Sequence, residues 1–272
     1  MKLFPVLFVL AAALPGADLL LTVHKRADTL GIYDLAEAKP LANVPVGVKP
    51  HEFELTEDKR YALVTVYGVD SYTAAEAGGN TIAIVDLRTR KPAGTIDLGQ
   101  YHRPHGIERG RSGAFYVATE KPAALHVIDG RRRRIKFSFA LPGQLPHMIA
   151  ISAGETKVWT ADAGSGTVTC MDLRTRKQLA QVEVGGVPMG LALSKDEKRL
   201  YCATRSANTV AVIDAVANRL RRQIGVPGQP ARLLLSLDGR TLYVSLYESG
   251  EVAAIDTRTE LEVRRAPAGA AA

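Results

Sequence analysis

The sequence predicts an all-β fold, a β-propeller built from four-stranded antiparallel blades, and three observations carry that reading. An apolar run ending in aspartate recurs six times, at Asp34, Asp86, Asp129, Asp172, Asp214 and Asp256, with spacings of 52, 43, 43, 42 and 42 residues. A proline recurs with nearly the same period, at Pro50, Pro104, Pro146, Pro188, Pro230 and Pro267. Each unit holds four short runs of β-branched and apolar residues separated by turn signals, which is the pattern of one propeller blade.

The elements follow in chain order. Lys2 and the apolar run Leu3 to Ala13 read as a secretory signal peptide, with cleavage expected between Ala13 and Ala17. The run is too short to span a bilayer, and no later stretch holds 18 uninterrupted apolar residues. Residues 1–17 are therefore assigned to the signal peptide and 18–272 to a single propeller domain, expected to be a periplasmic or secreted monomer without a transmembrane segment in its mature form. Residues 18–47 supply only strands two, three and four of a first blade, and five complete units follow. The unit from Pro188 illustrates them: Gly190 to Ser194, a turn at Lys195 to Lys198, Leu200 to Thr204, Thr209 to Asp214, and Arg219 toward Ile224. The closing aspartate of strand three is read as a turn former that binds its own backbone. Pro267 to Ala272 align with the start of a unit. Six blades closed by pairing of the N- and C-terminal segments are expected, with a truncated seven-bladed parent as the alternative.

The pieces Tyr116-Val117-Ala118-Thr119, Tyr201-Cys202-Ala203-Thr204 and Tyr243-Val244-Ser245-Leu246 precede the strand ending in aspartate, and Val46-Gly47 and Val184-Gly185 follow it in their units. These repeats resemble the YVTN-type units of exported bacterial propellers, the YncE-like family. The resemblance implies the propeller fold and export, and leaves function open among lactonases, lyases and binding proteins.

The first strand of a propeller blade lines the channel, so the residue after each marker proline stands at the channel mouth. That column reads His51, His105, His147, Met189, Ala231 and Ala268. Half of the six histidines in the chain fall in it, in successive units. Converging imidazoles with a thioether suit copper, zinc or iron, which makes His51, His105, His147 and Met189 the candidate metal ligands. A metal-free site is the alternative, with one imidazole as general base and a neighbour binding an oxyanion. The strand two to three loops emerge at the same end and bring His24, Tyr67, Glu120, Asp162, Arg205 and Glu248. His105, His147, Arg205, Glu120 and Asp162 are thus the catalytic candidates of a lactonase-like or lyase-like enzyme. The longer second unit places its extra residues, Gly68 to Gly79, beside His51, where they read as a partial lid.

Composition bounds the remaining readings. With 46% hydrophobic and 23% charged residues, 24 Gly, 14 Pro and 2 Cys in 272, the chain is an ordinary globular one, which excludes disorder, collagen and a disulfide-stapled miniprotein. A net charge of +7 leaves a weaker third reading, a scaffold holding nucleic acid or a protein on a basic surface. Arg131 to Arg134 lie at the end of the blade away from the histidines, with no aromatic stripe to stack bases. Cys170 and Cys202 replace core residues on two strands and read as buried thiols, and Trp159 takes the place of a repeat tyrosine in the core.

Overall fold

The computed structural model describes residues 10–14 and 17–269, with side chains from Asp18 to Gly269. Its regular elements are 24 strands and one short 3₁₀ turn, Arg205–Ala207. The strands form six four-stranded antiparallel sheets, each built from four strands consecutive in the chain, the blades of a six-bladed β-propeller. Among the described residues no helix is long and apolar enough to cross a membrane.

The chain divides into two compact units, residues 1–140 and 141–272. The first holds three blades. Blade 1 is Leu10–Leu14, Ala17–His24, Thr29–Asp34 and Lys39–Pro45; blade 2 is Pro50–Leu55, Tyr61–Val66, Thr81–Asp86 and Lys91–Asp97; blade 3 is His102–Arg109, Ala114–Lys121, Ala123–Asp129 and Arg134–Ala140. Their core lies between neighbouring sheets: Leu21, Leu30 and Ile32 of blade 1 pack with Ala62, Val64 and Val85 of blade 2. The other face of blade 2, with Leu63, Ile82 and Ile84, packs with Ile107, Phe115 and Val117 of blade 3.

The second unit holds the other three. Blade 4 is Pro146–Ile151, Lys157–Asp162, Thr167–Asp172 and Gln178–Glu183; blade 5 is Pro188–Leu193, Arg199–Thr204, Thr209–Asp214 and Arg219–Gly225; blade 6 is Pro230–Leu235, Thr241–Leu246, Glu251–Asp256 and Leu261–Pro267. Trp159, Cys170 and Cys202 sit in the core between blades 4 and 5, where both cysteines are buried thiols. Tyr201 and Val212 of blade 5 are covered by Leu242 and Val244 of blade 6.

The burial pattern explains why the inner strands are so apolar. Strands two and three of blade 2 are buried on both faces, whereas its outer strand Lys91–Asp97 exposes all but one residue. A strand buried on both sides loses the polar alternation of a surface strand, and the charge collects on the outer strands instead. The six aspartates act as expected. Asp86 Oδ1 accepts the amides of Arg88 and Thr89, Asp129 those of Arg131 and Arg132, and Asp214 those of Val216 and Ala217. Amides three residues on hold the carboxyls of Asp129, Asp172, Asp214 and Asp256 below the usual carboxylate range.

Two expectations about the chain ends are corrected. The first strand of blade 1 is Leu10–Leu14, paired from Leu10↔Leu21 to Leu14↔Ala17, so this blade takes all four strands from the N-terminal stretch rather than one from the C-terminus. Pro267 is not a marker proline. It ends an outer strand, opposite Glu251, as Pro45 does opposite Thr29, and Ala268 donates to Gly250 as Val46 donates to Asp28. Blade 1 ends in a proline of the same kind, Pro45, five residues before the marker Pro50, and Pro267 corresponds to Pro45. Ala268 therefore leaves the column, and Ala270 to Ala272 lie outside the described residues.

Candidate functional site

Each complete blade prepares its column residue in the same way. The residue before the marker proline is left-handed in four of them, with φ of +52° at Lys49, +57° at Arg103, +50° at Leu145 and +60° at Gln229. Directly after the proline the register shifts, between Pro50 and Phe53, Pro146 and Ile149, Pro188 and Leu191, and Pro230 and Leu233, with the same shift in blade 3. Two residues of the first strand then face one of the second, a β-bulge, which bends the strand and re-aims its side chains. The kink recurs in blade 6, where Ala231 holds the position, so it belongs to the architecture, and only the residue placed on it varies.

In the first unit the bulges of blades 2 and 3 bring two histidines together. The rings of His51 and His105 lie 4.0 Å apart between centroids, tilted by 44°. His51 Nδ1 is 3.1 Å from Glu52 Oε1, which assigns the proton to Nδ1 and leaves the lone pair on Nε2. Donor atoms of His51, Glu52 and His105 all lie within 4.8 Å of one another. Thr65 sets this spacing. Its hydroxyl accepts the amide of Glu52 at 3.0 Å and stands 3.2 Å from the carbonyl of His105, so one buried side chain satisfies the bulge of blade 2 and ties it to blade 3.

Tyr67 closes one side of the pair, its ring edge-on to His51 at 5.3 Å and to His105 at 5.1 Å. Its hydroxyl donates to Glu120 Oε2 at 2.8 Å, and Glu120 also lies 3.6 Å from the guanidinium of Arg103, all three groups buried. Burial, reinforced by the Glu120 charge, pushes the Tyr67 phenol upward, so it stays protonated and serves as a donor.

Arg103 also fixes the inserted segment between Val66 and Thr81. Its guanidinium donates to the carbonyls of Tyr72, Ala74, Glu76 and Ala77, four acceptors on one loop. The neck of this loop is pinched: Gly79 donates to Tyr67, and a Cβ on Gly68, at φ +79°, would fall 1.9 Å from the Gly79 nitrogen. Asp70, at the exposed side of the loop, takes Lys49 on its carboxylate at 2.8 Å and Lys25 on its carbonyl at 2.9 Å. The Lys25 ammonium also stands 5.1 Å from the Tyr67 ring centroid. Burial brings the Lys25 ammonium down to about 8, with Asp70 opposing and Lys49 adding to the effect.

The remaining sequence candidates have clear places. His147 and Met189 occupy the bulges of blades 4 and 5 in the second unit, and both are buried. Asp162 is fully buried and accepts from Thr160, Thr167 and Thr169 at 2.7, 3.1 and 2.6 Å; burial still pushes its carboxyl up to about 6. Arg205 lies 4.7 Å over the ring of Tyr247. His24 is bound within its own blade by Thr22, Thr29 and Tyr33. Sequence reasoning missed Glu52, Thr65, Arg103, Lys25 and Lys49. Glu52 and Arg103 were findable, since they flank the column residues, whereas Thr65 and Lys25 come from other strands and turns.

No known sequence family matches the chain, and no curated protein does. Solved structures do. The hydrazine synthase of Kuenenia stuttgartiensis superposes with a TM-score of 0.79 at 17% identity, over 96% of this chain and 89% of that one. The chain has a β-propeller fold. The propeller also matches virginiamycin B lyase from Staphylococcus aureus, with a TM-score of 0.77 and 12% identity over 95% of this chain and 83% of the lyase. The dihydro-heme d1 dehydrogenase NirN, solved with DHE, gives 0.68 and 16% over 92% of this chain but 54% of its own. At these identities the likeness concerns the fold.

Proposed function

We propose that this propeller binds a divalent transition metal through His51, His105 and Glu52. The observation that carries the reading is the donor set itself: two imidazoles and a carboxylate with ligand atoms within 4.8 Å of one another, two of the three residues buried. Two histidines and one carboxylate with open positions suit iron or zinc better than the thioether set that would favour copper. Thr65 and Tyr67 supply the support that holds such ligands in place.

The test is metal analysis and titration of the untagged full-length protein with zinc, iron(II) and copper. One equivalent of zinc or iron is expected, with His51→Ala and His105→Ala each weakening binding at least about tenfold and Glu52→Gln by about 10- to 100-fold. Protein that takes up none of the three metals overturns the reading.

A second reading has an observation of its own. A histidine-to-alanine form of virginiamycin B lyase, solved with quinupristin, is catalytically inactive and shares this fold at a TM-score of 0.76. On that reading His105 is the general base of a lyase-like or lactonase-like site, with the ring of Tyr67 packed against it. A metal-free protein that opens lactones, and loses that activity in His105→Ala, supports it over the first.

We further propose an exported, monomeric protein of the YVTN-repeat, YncE-like kind. The repeats at Tyr116, Tyr201 and Tyr243 support the family, and Lys2 with the apolar run to Ala13 supports export. Cleavage between Ala13 and Ala17 would remove the strand Leu10–Leu14 and leave blade 1 with the three strands from Ala17–His24 onward. The intact mass of protein recovered outside the cytoplasm checks it.

A further inference from the structure

We infer that Lys25 and Lys49 form an anion-binding site beside the histidine pair, and that Asp70 of the inserted loop occupies it in place of a carboxylate- or phosphate-bearing small molecule. This ligand class rests on reading the His51–His105 end of the first unit as the binding site.

Three observations build it. First, the two ammonium groups converge on one residue: Lys49 Nζ is 2.8 Å from the Asp70 carboxylate, and Lys25 Nζ is 2.9 Å from the Asp70 carbonyl. Second, both cations are set by the fold. Lys49 is left-handed, its amide donates to Asp28 Oδ1 at 2.8 Å, and its carbonyl accepts from Tyr67. Lys25 stands over the Tyr67 ring, which also packs against the rings of His51 and His105, so an anion held here is one aromatic ring away from the imidazoles. Third, Asp70 is the exposed partner: its side chain is 80% exposed, against 27% for Lys49. An exposed carboxylate on a loop gains little net energy from such a pair, so an incoming anion displaces it cheaply.

The contrast with Arg103 narrows the assignment. It occupies the position of Lys49 in the next blade, yet its guanidinium is spent on four loop carbonyls and Glu120. That cation organises the loop, and the two lysines beneath the loop's acidic residue remain for a ligand. A dianion such as phosphate or a dicarboxylate can meet both ammonium groups at once, which Asp70 does only with its carboxylate on one and its carbonyl on the other.

Isothermal titration of the full chain with inorganic phosphate and, separately, succinate tests this. Asp70→Asn should bind one of the two at least about fivefold tighter than the parent, and Lys49→Met and Lys25→Met should each weaken the parent's binding about tenfold, in line with a lost charge-assisted contact. Phosphate preference assigns a phosphoryl ligand, and succinate preference a carboxylate one. Unchanged affinity in Asp70→Asn together with unchanged affinity in Lys49→Met overturns the site, with circular dichroism showing that each variant is folded. Zinc titrations of the same variants separate the two readings. Lysine-dependent anion binding in a protein that takes no metal leaves this inference standing and removes the metal, whereas metal uptake with no anion binding in Asp70→Asn removes this inference alone.

Discussion

Acid should destabilise the first unit through one histidine that lies outside the candidate site. His126, on the third strand of blade 3, is fully buried, and desolvation holds its imidazole down to about 4. The network fixes its tautomer. Thr119 donates its hydroxyl to the carbonyl of Pro122 at 3.1 Å, so its oxygen accepts from His126 Nε2, also at 3.1 Å. His126 Nδ1 is then the acceptor for the Ser138 hydroxyl at 2.8 Å. Protonation at Nδ1 only reverses the bond to Ser138, so the cost is that of burying the cation, to which the neutral ring of Tyr101, 4.8 Å away, brings no carboxylate.

The direction follows from the depressed folded value. Above the ordinary value of 6.5 neither folded nor unfolded chain carries the proton and the stability is complete. As pH falls below 6.5 the unfolded chain takes the proton first, and stability is lost until the folded protein also protonates near 4. The displacement from 6.5 to about 4 corresponds to about 3 kcal/mol. Urea denaturation at pH 7.5, 6, 5 and 4 should show the parent losing that much more than His126→Gln, in which no titratable group remains at the position. Parallel curves for the two proteins would refute the argument.

Asp162 in the second unit should behave oppositely: its folded value is raised to about 6, so its contribution is present below 3.8 and lost as pH rises through 6. Asp162→Asn is expected to raise stability at pH 7.5 by up to about 3 kcal/mol and to leave it unchanged at pH 3.5, by the same denaturation assay. Arg103→Met strands the buried Glu120 and frees the loop carbonyls, so a loss of about 3–5 kcal/mol is expected, with new protease cleavage between Gly68 and Gly79. Intact loop digestion patterns at equal stability would contradict that role. Removing residues 268–272 deletes the two amides that donate to Gly250 and should cost about 1–2 kcal/mol, a fall in Tm of a few degrees. A collapse of the melt would instead restore pairing between the chain ends.

The sequence by itself determined the blades. An apolar run closed by aspartate every 42 or so residues dictates strand, turn and return strand locally, and Asp86, Asp129 and Asp214 bind the backbone amides just beyond them as their position requires. The histidine column was legible for the same reason, since a proline fixes where each first strand starts. It misled at Pro267, because a proline marks a backbone angle and not a register; only the pairing with Glu251 shows that it ends an outer strand. The surroundings of His51 were beyond sequence reading. Thr65 reaches His105 across 40 residues, Tyr67 reaches Glu120 across 53, and Lys25 reaches Asp70 across 45. Nothing local couples such positions. They meet because a bulge re-aims two side chains toward each other and one buried arginine ties down the inserted loop, and those are choices that only the packed tertiary structure makes.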